Sequence, residues 1–568
     1  MKSIHPTHKE SCFSAVLFRT HLIQSRLFAA GCGRRACFLC FFAEIPKIRL
    51  FIPLKRWYDK SVCAMSAPRR RGGLAECPLG EETIIMKITR KSFLQLLGLS
   101  ALTLGGVGCG AGSTASSSAV LSPSDPVTLT VWTYYNGDQL ETFNKLVEEF
   151  NNTLGQEKGI LVETSSLGGV TELENAVLES AEGKVGAPPL PSIFSAYADT
   201  AYAIDQMGLL ADLSGFFPDE ERAAYIENYL SEGDFDGSGS IKIFPTAKST
   251  ELFFLNDTDW QLFAAASGCT YEDLATMESL VATAEKYYQW TEEQTGEGKA
   301  LFGRDALANY MLVGAQQLGC TLFEVKDGRM TLHFPEEVAR ALWDNYYVPF
   351  IRGWFAATGR FRSDDIKTGN ILGYVGSNSS ATFFPSQVVV SDTESHDIAL
   401  KVLPAPQFAN AAHAVTVQQG AGMAVTQGGE AEVAASVVFL KWFTQPENNI
   451  AFAVGSGYLP VTHAANDMGT IRSSGLELSP KMDDILTGAV EAVNTLELYT
   501  PKAFSGGFDA RNALQDSIAD AAKEDRATVN DRIAAGQSAE KAMAEFLTDE
   551  RFQRWYTGLC ATLRTYEG

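Results

Sequence analysis

Apolar residues from Val127 onward alternate between two spacings, and this alternation restricts the chain to a sheet covered by helices. The segments VTLTVW, ILVET and PSIFSAY have the composition of strands. Between the first two, residues 138–151 place four apolar side chains on one helical face: Leu140, Phe143, Val147 and Phe150. A second amphipathic segment separates ILVET from PSIFSAY. Strand, helix, strand, helix, strand predicts a parallel sheet with helices on its faces, which is the α/β class.

Residues at the carboxyl ends of these strands are candidates for ligand contact, because ligands of such sheets bind beyond those ends. A sugar offers apolar C–H faces and a fringe of hydroxyls, so sugar sites combine aromatic platforms with polar side chains. For each aromatic residue, packing in the core is the competing interpretation. The candidates at these strand ends are Trp132, Tyr134, Tyr135, Ser195 and Tyr197.

A secretory signal is predicted well inside the chain. The segment MKITRKSFLQLLGLSALTLGGVGC begins at Met86 with a basic stretch, continues with an apolar one and ends in small residues before Cys109. Because an export signal is read near an amino terminus, we expect residues 1–85 to be a misassigned upstream extension or a disordered leader. The segment TRKSFL also resembles a twin-arginine signal, so both the general and the twin-arginine export routes stay open.

Cys109 follows small residues and resembles the lipobox cysteine of bacterial lipoproteins, although Gly106 stands where that pattern usually has Leu. The resemblance implies cleavage before Cys109 and acylation of its thiol, with an ordinary signal peptide cut elsewhere as the alternative. Residues 86–108 would then be the signal peptide and 109–126 a flexible tether rich in Gly, Ser and Ala. The apolar stretch is too short to span a bilayer.

The charge and cysteine content of residues 109–568 exclude several classes of protein. This part has 29 Lys and Arg against 62 Asp and Glu, and so acidic a surface disfavours nucleic acid as a partner. It contains four cysteines, Cys109 included, so no disulfide framework is predicted. Four scattered histidines form no metal-binding pattern, and the segment from Asp234 to Gly239 resembles a calcium loop only until its twelfth position, which is Pro245. No metal and no cofactor are predicted.

A series of segments resembles the extracellular solute-binding family that includes the maltose-binding proteins. The segments are TLTVWTYYN, SSLGGVTELENAV, PSIFSAYADTAYAIDQMGLLADLSGFF, IFPTAKSTELFFLN, ILGYVGSNSSATFF and QQGAGMAVTQGGEAEVAASVVFLKWFTQPENNIAFAVGSGYLPVT. They follow the order expected for that family across residues 127–470, and the helical tail resembles it weakly. The resemblance implies a two-lobed periplasmic-binding-protein-like fold of type II. Each lobe would be a mostly parallel sheet flanked by helices, with the ligand in the cleft between them.

The resemblance also implies lobe boundaries and crossings. We expect lobe one to comprise 127–247 and 418–475, and lobe two 248–417 and 476–568. The first crossing is placed at residues 246–252, where an apolar strand contains a polar insert, and the return near 417–425. A buried polar insert must be paired or face the cleft, so either ligand contact or a Lys248–Glu251 salt bridge would explain it. Further candidates from the crossings and lobe two are Lys248, Ser249, Glu251, Asn309, Tyr310, Ser377, Asn378 and Gln419.

The predicted function is the solute-binding component of a bacterial ABC importer, lipid-anchored at the outer face of the cytoplasmic membrane and monomeric. It would perform no chemistry: the lobes close on a small polar solute and present it to the permease subunits. Sugars lead among the solutes, followed by glycerol phosphates, polyols and other polar solutes. A phosphorylated solute stays open because Lys248 could meet a phosphate. A secreted carbohydrate-active enzyme and a sensory or adhesive lipoprotein are the alternatives; no catalytic motif supports the first.

Overall fold

The computed structural model describes residues 121–568, in which the strands form two four-stranded sheets and three two-stranded ladders. The predictions for the upstream extension, the signal peptide, Cys109 and most of the tether lie outside the described residues. The strands are β1 (Val127–Thr133), β2 (Ile160–Ser166), β3 (Ile193–Ala196), β4 (Glu251–Asn256), β5 (Phe302–Arg304), β6 (Phe323–Lys326), β7 (Arg329–Leu332), β8 (Gly373–Ser377), β9 (Gln387–Ser391), β10 (Glu394–Asp397), β11 (Leu400–Pro404), β12 (Val415–Val417), β13 (Gly422–Val425) and β14 (Glu497–Tyr499).

The first sheet has the strand order β13-β3-β1-β2. Strand β1 runs parallel to both β2 and β3, as the alternating pattern predicts, and β13 closes the edge antiparallel to β3. The two longer helices between these strands, Gly137–Asn152 and Val170–Ala181, are amphipathic and pack against the sheet. Because β1, β2 and β3 run in the same direction, their carboxyl ends lie at one edge, where the predicted aromatic and polar candidates are found.

The second sheet has the order β11-β4-β8-β5 and is mixed. Strand β4 is antiparallel to β11 and β8, and only β5 and β8 are parallel. The expectation of a mostly parallel sheet therefore fits the first sheet and not the second. The reason is that β4, which follows the first crossing, runs opposite to β5, β8 and β11, and strand composition does not encode direction.

Helices flank both sheets, and the α/β class is confirmed. The longer helices span Gly137–Asn152, Val170–Ala181, Ala198–Gln206, Asp257–Ser267, Met277–Thr295, Leu307–Gln317, Glu336–Arg352, Glu430–Phe443, Pro446–Ser456, Pro480–Thr495, Gly507–Ala534 and Asp549–Leu563. Shorter ones span Leu154–Lys158, Asp219–Arg222, Glu227–Ser231, Arg362–Lys367, Met468–Ser473 and Ala539–Met543. Within residues 121–568 no helix combines the length and apolar character needed to cross a bilayer.

Each sheet has its own apolar core. The first core surrounds β1 and β3 and includes Trp442 and Phe443. The second core takes in the carboxyl-terminal helices through residues such as Leu514 and Trp555. Burial of one such side chain stabilises the fold by about 1.5–3 kcal/mol, so the tail, despite its weak resemblance to the family, is an integral part of the second core.

The segments between the sheets run side by side at one place. Ser249 and Gln419 exchange both backbone hydrogen bonds, at 2.9 and 2.8 Å, and Lys248 is bridged in the same way to Leu459. The two segments that the sequence proposes as crossings therefore lie side by side, and residues 241–245 before the first of them form an isolated bridge at Phe244. The lobe boundaries themselves stay a prediction.

Candidate functional site

The meeting point of the crossings is lined by buried polar side chains. Lys248, Ser249, Thr250 and Glu251 are each at most 3% exposed. The backbones approach closely here: Gly420 has a φ of +86°, and a Cβ atom at this position would lie 2.9 Å from the carbonyl oxygen of Ala247. Only glycine tolerates both conditions. The hydroxyls of Thr250 and Thr416 are 2.6 Å apart and link the two crossings.

Two buried ion pairs extend from the first crossing in different directions. Lys248 pairs with Glu232 and donates to the carbonyl oxygen of Gly420 at 2.8 Å. Glu251 pairs with Arg304, at the end of β5. The alternative of a Lys248–Glu251 salt bridge is therefore wrong. Successive side chains of an extended segment face opposite ways. This four-residue insert is irregular, so the direction of each charged side chain depends on its tertiary partners.

The Glu251 pair belongs to a larger network on the side of the second sheet. Asn309, at the start of the helix Leu307–Gln317, donates to Glu251 at 2.9 Å. Its side-chain oxygen accepts from Arg511 at 3.2 Å, which comes from the helix Gly507–Ala534. One Nη atom of Arg511 and the Nε atom of Arg304 are buried without a hydrogen-bond partner. The network therefore has donors left over for a further group.

An aromatic cluster faces the crossings from the first sheet. Tyr134 stacks on Tyr197 with ring centroids 6.3 Å apart. Its hydroxyl lies 3.1 Å from that of Tyr458 and accepts from the backbone N–H of Ala421 at 3.3 Å. Burial raises the pKa of Tyr134 and of Tyr458 well above the ordinary value, so both remain neutral hydroxyls that can donate and accept.

Two acids on the first-sheet side are also withdrawn from water. Glu174 accepts from the hydroxyl of Thr200 at 2.9 Å, and burial raises its pKa to about 7. Burial raises the pKa of Asp199 to about 6, opposed by the positive charge of Arg511. Asp199 lies against the first turn of the helix Gly507–Ala534, since a Cβ on Gly507 would be 2.2 Å from its carboxylate oxygen. The two halves of the molecule thus meet through oppositely charged groups.

A cavity of about 920 Å³ is bordered by Glu232, the partner of Lys248. One wall comes from the helix Ala198–Gln206 and residues 231–242, and the other from residues 325–328 and 500–503. Tyr202 and Glu232 line the first wall, and Lys326 and Thr500 the second. Its volume lies in the range of sites that enclose small molecules, and its walls come from segments adjoining different sheets.

The structure brings most of the predicted site residues together near the crossings, but some of them are buried in the core instead. Tyr134, Tyr197, Lys248, Glu251 and Asn309 lie around the crossings, and Ser249 and Gln419 form the crossing itself. Tyr135 is fully buried among aromatic rings, and Ser195, which contacts the sulfur of Met423, is 3% exposed. Trp132 is half-buried against the first core.

Two predicted ligand residues of the second half have other roles. Tyr310 donates to the carbonyl oxygen of Leu342 at 2.8 Å and lies in the second core. Asn378 accepts from the backbone N–H of Thr250 at 2.7 Å and donates to the carbonyl oxygen of Gly457. Both ends of its amide are thus occupied within the protein, so Asn378 joins the crossing to the Gly457 turn. Ser377 caps the turn that follows it.

Sequence reasoning missed the partners of the buried charges. Asp199 could have been found, because it follows β3 directly and so satisfies the same strand-end rule as Tyr197. No local signal marks Arg304, Glu232 or Arg511 among the many charged residues of the chain. Arg511 in particular lies in the tail, far in sequence from Asn309, and only the folded chain brings the two side chains together.

The resemblance to a calcium loop has a different explanation in the structure. Asp234 accepts from the backbone N–H of Gly239, and Asp236 from that of Ser238, both at 3.0 Å. The two aspartates thus organise a glycine-rich turn. Among residues 121–568, no three His, Cys, Asp or Glu side chains come together in an arrangement that could hold a metal ion.

Two α/β halves, each with its own sheet and core, with crossings between them and a cavity beside the crossings, define the class of two-lobed binding proteins. The sequence profile of the bacterial extracellular solute-binding proteins matches residues 145–476. The chain belongs to this family, whose members are binding proteins that act outside the cytoplasm. A search of curated protein sequences finds no match.

Solved structures share the fold at low sequence identity. The cyclic α-maltosyl-1,6-maltose binding protein of Arthrobacter globiformis has a TM-score of 0.53 at 18% identity, over 77% of this chain and 99% of its own. UgpB of Mycobacterium tuberculosis, in complex with glycerophosphocholine, has 0.53 at 17%, over 76% and 99%. The galacto-N-biose/lacto-N-biose I-binding protein of Bifidobacterium longum, part of an ABC transporter, has 0.52 at 16%, over 78% and 98%.

Proposed function

We propose that this protein captures a sugar or oligosaccharide between two lobes and delivers it to the permease subunits of an ABC importer. The observation that carries the proposal is the cluster of buried polar and aromatic side chains at the crossings, beside a cavity of about 920 Å³. Stacked tyrosines suit the C–H faces of a sugar ring, and leftover donors of Arg304 and Arg511 suit its hydroxyls. Structural neighbours that bind maltosyl and lacto-N-biose sugars support the same class.

The charges around the cavity favour a neutral solute over a phosphorylated one. Lys248 is the residue that could have bound the phosphate of a phosphorylated solute. Its side chain is 0% exposed and already pairs with Glu232. Asp205, Asp212, Glu232, Asp234, Asp236 and Asp327 line the cavity, against Lys242, Lys326 and Lys502. An anionic solute would therefore meet more like charge than opposite charge.

The boundaries predicted from the sequence divide the molecule for this purpose. Lobe one would be 127–247 with 418–475, and lobe two 248–417 with 476–568. Within that division the cavity is lined by Tyr202 and Glu232 from lobe one and by Lys326 and Thr500 from lobe two. Tyr134, Tyr197 and Asp199 of lobe one, and Asn309 and Arg511 of lobe two, would reach the solute on closure. Closure would bury the solute and bring both lobes into the arrangement that a permease recognises. No chemical step on the solute is part of the proposal.

Membrane attachment through Cys109 completes the proposed function, with the body at the outer face of the cytoplasmic membrane. A single acyl chain binds a membrane weakly, so stable attachment requires several chains. We expect the native protein to begin at Cys109 and to partition with membranes, and Cys109→Ala to be soluble or unprocessed. Peptides from residues 1–85 in the mature protein would contradict both the anchor and the proposed start.

A thermal-shift screen tests the solute class. The mature protein is unfolded in the presence of maltotriose, lacto-N-biose and glycerophosphocholine, each at increasing concentration. A solute that binds only the native state raises the unfolding midpoint by mass action. We expect a shift with at least one of the two sugars and none with glycerophosphocholine. A shift with glycerophosphocholine alone would replace the sugar class by a phosphodiester, and no shift with any of the three would reject this panel's sugars as solutes.

A further inference from the structure

Two buried polar side chains near the crossings lack hydrogen-bond partners. Gln418 is 4% exposed, and neither its Oε1 nor its Nε2 atom has a partner. The hydroxyl of Thr500 is also buried without one. Most buried polar atoms in native proteins are paired, because an unpaired one loses its hydration without compensation. Two such residues at one place therefore call for a physical explanation.

Gln418 and Thr500 are neighbours on one face of a parallel ladder. Strands β12 and β14 pair with Val417 opposite Tyr499. The backbone N–H of Gln418 donates to the carbonyl oxygen of Tyr499 at 2.9 Å, which continues the register and places Gln418 opposite Thr500. Paired residues of a ladder project to the same face. The carboxamide and the hydroxyl therefore lie side by side.

One member of this pair borders the proposed solute cavity, and the other adjoins the crossing. Thr500 lines the cavity opposite Ser231 and Glu232, and Gln418 directly precedes Gln419, whose backbone pairs with Ser249. Tyr499, which precedes Thr500 and accepts the backbone hydrogen bond of Gln418, lies close enough to Arg511 and Asp199 for their charges to affect its pKa. The unpaired Nη atom of Arg511 thus belongs to the same region.

We propose that Gln418 and Thr500 are specificity-determining residues that hydrogen-bond adjacent hydroxyls of a neutral sugar at the inner end of the cavity. This inference rests on the proposed function and adds to it the groups that read the solute. A carboxamide offers both a donor and an acceptor, and a hydroxyl likewise. Sugar hydroxyls have the same dual character, whereas an anion would use only the donors and would face Oε1 and the Glu232 carboxylate.

A ligand-binding role and a structural role predict changes of opposite sign in the unfolding midpoint of the solute-free protein. Gln418→Leu replaces an unpaired amide by an apolar group of similar size and should raise the unfolding midpoint of the solute-free protein by about 1–3 °C. The matched control is Gln317→Leu: Gln317 is also 4% exposed, but it donates to Val415 at 3.1 Å and accepts from Phe408 at 3.0 Å. That variant should lower the midpoint, because it leaves two backbone groups unpaired.

Binding is measured by calorimetry with whichever of maltotriose and lacto-N-biose shifts the wild type. We expect Gln418→Leu to raise the Kd about tenfold, and Thr500→Val to raise it in the same direction while remaining folded. A fall in the solute-free midpoint of Gln418→Leu as large as that of Gln317→Leu, or an unchanged Kd in both folded variants, would overturn the inference and leave the proposed function standing. Failure of both sugars to shift the wild type would overturn the inference and reject the sugars of this panel as solutes.

Discussion

The ammonium group of Lys248 is bonded to Glu232 and to the carbonyl oxygen of Gly420, and the Lys248 and Glu232 side chains are 0% and 6% exposed. A buried pair of this kind couples the first crossing to the segment before the glycine-rich turn. Removal of one partner leaves an uncompensated charge, whereas replacement of both by apolar groups removes the desolvation cost with the attraction.

Lys248→Ala is expected to lower the free energy of unfolding by about 3–5 kcal/mol, because it leaves the Glu232 carboxylate buried and unpaired. The double variant Lys248→Met with Glu232→Met should recover most of that loss. Lys145→Ala is the control: its pair with Glu141 is exposed, and its loss should change stability by less than about 1 kcal/mol. Chemical denaturation of the four proteins measures the difference. A Lys248→Ala variant as stable as Lys145→Ala would show that the pair is not buried.

Glu174 gives the protein a pH dependence of stability whose sign follows from its raised pKa. The folded state binds the Glu174 proton up to about pH 7, while the unfolded chain releases it near pH 4. The stabilisation that the folded state gains from holding this proton is fully present below the unfolded pKa and is lost as pH rises through 7. We expect stability to fall from pH 5 to pH 8, by on the order of 3 kcal/mol from this group.

Glu174→Gln should flatten that slope, because the amide keeps a neutral partner for Thr200 and does not titrate. Asp199, with its pKa raised to about 6, contributes in the same direction and will leave part of the slope in place. Glu172→Gln, at an exposed position of the same helix, should keep the wild-type slope. Unfolding midpoints recorded between pH 5 and pH 8 decide the matter; equal slopes for wild type and Glu174→Gln would mean that the carboxyl is hydrated.

Asn378→Ala is expected to destabilise the fold by about 1–3 kcal/mol, since it leaves the Thr250 N–H and the Gly457 carbonyl unpaired in a buried place. The sequence alone suggested an effect on ligand binding, and any such effect would follow indirectly from the loosened crossing. Asn494→Ala, at an exposed position of the helix Pro480–Thr495, is the control and should stay within about 0.5 kcal/mol of wild type. Thermal unfolding without solute separates them, and wild-type stability of Asn378→Ala would contradict the bonding described.

Chelation should leave the protein unaffected. Asp234 and Asp236 already accept hydrogen bonds from the backbone of their own turn, so the turn needs no cation to organise it. The unfolding midpoint in EDTA is expected to equal that in calcium. A drop of many degrees in EDTA would show that these aspartates hold a metal in solution.

The sequence by itself determined the elements and the class of protein. The spacing of Leu140, Phe143 and Phe150 fixed the first helix, and the composition of VTLTVW and ILVET fixed two parallel strands, because burial of one face dictates a period that can be read locally. The order of the family segments added the two-lobed fold. The strand-end rule also placed Tyr134 and Tyr197 at the edge where the crossings lie.

Only the tertiary structure decided which charges meet. Lys248 and Glu251 are three residues apart, yet each pairs with a residue from another segment, and Arg511 reaches Asn309 from the far end of the chain. The same holds for Gln418 and Thr500, which become neighbours through a ladder between distant strands. Local pattern encodes periodicity, but the partner of a buried polar group depends on which segments the fold brings within about 3 Å of it, and that distance is set by the packing of the whole chain.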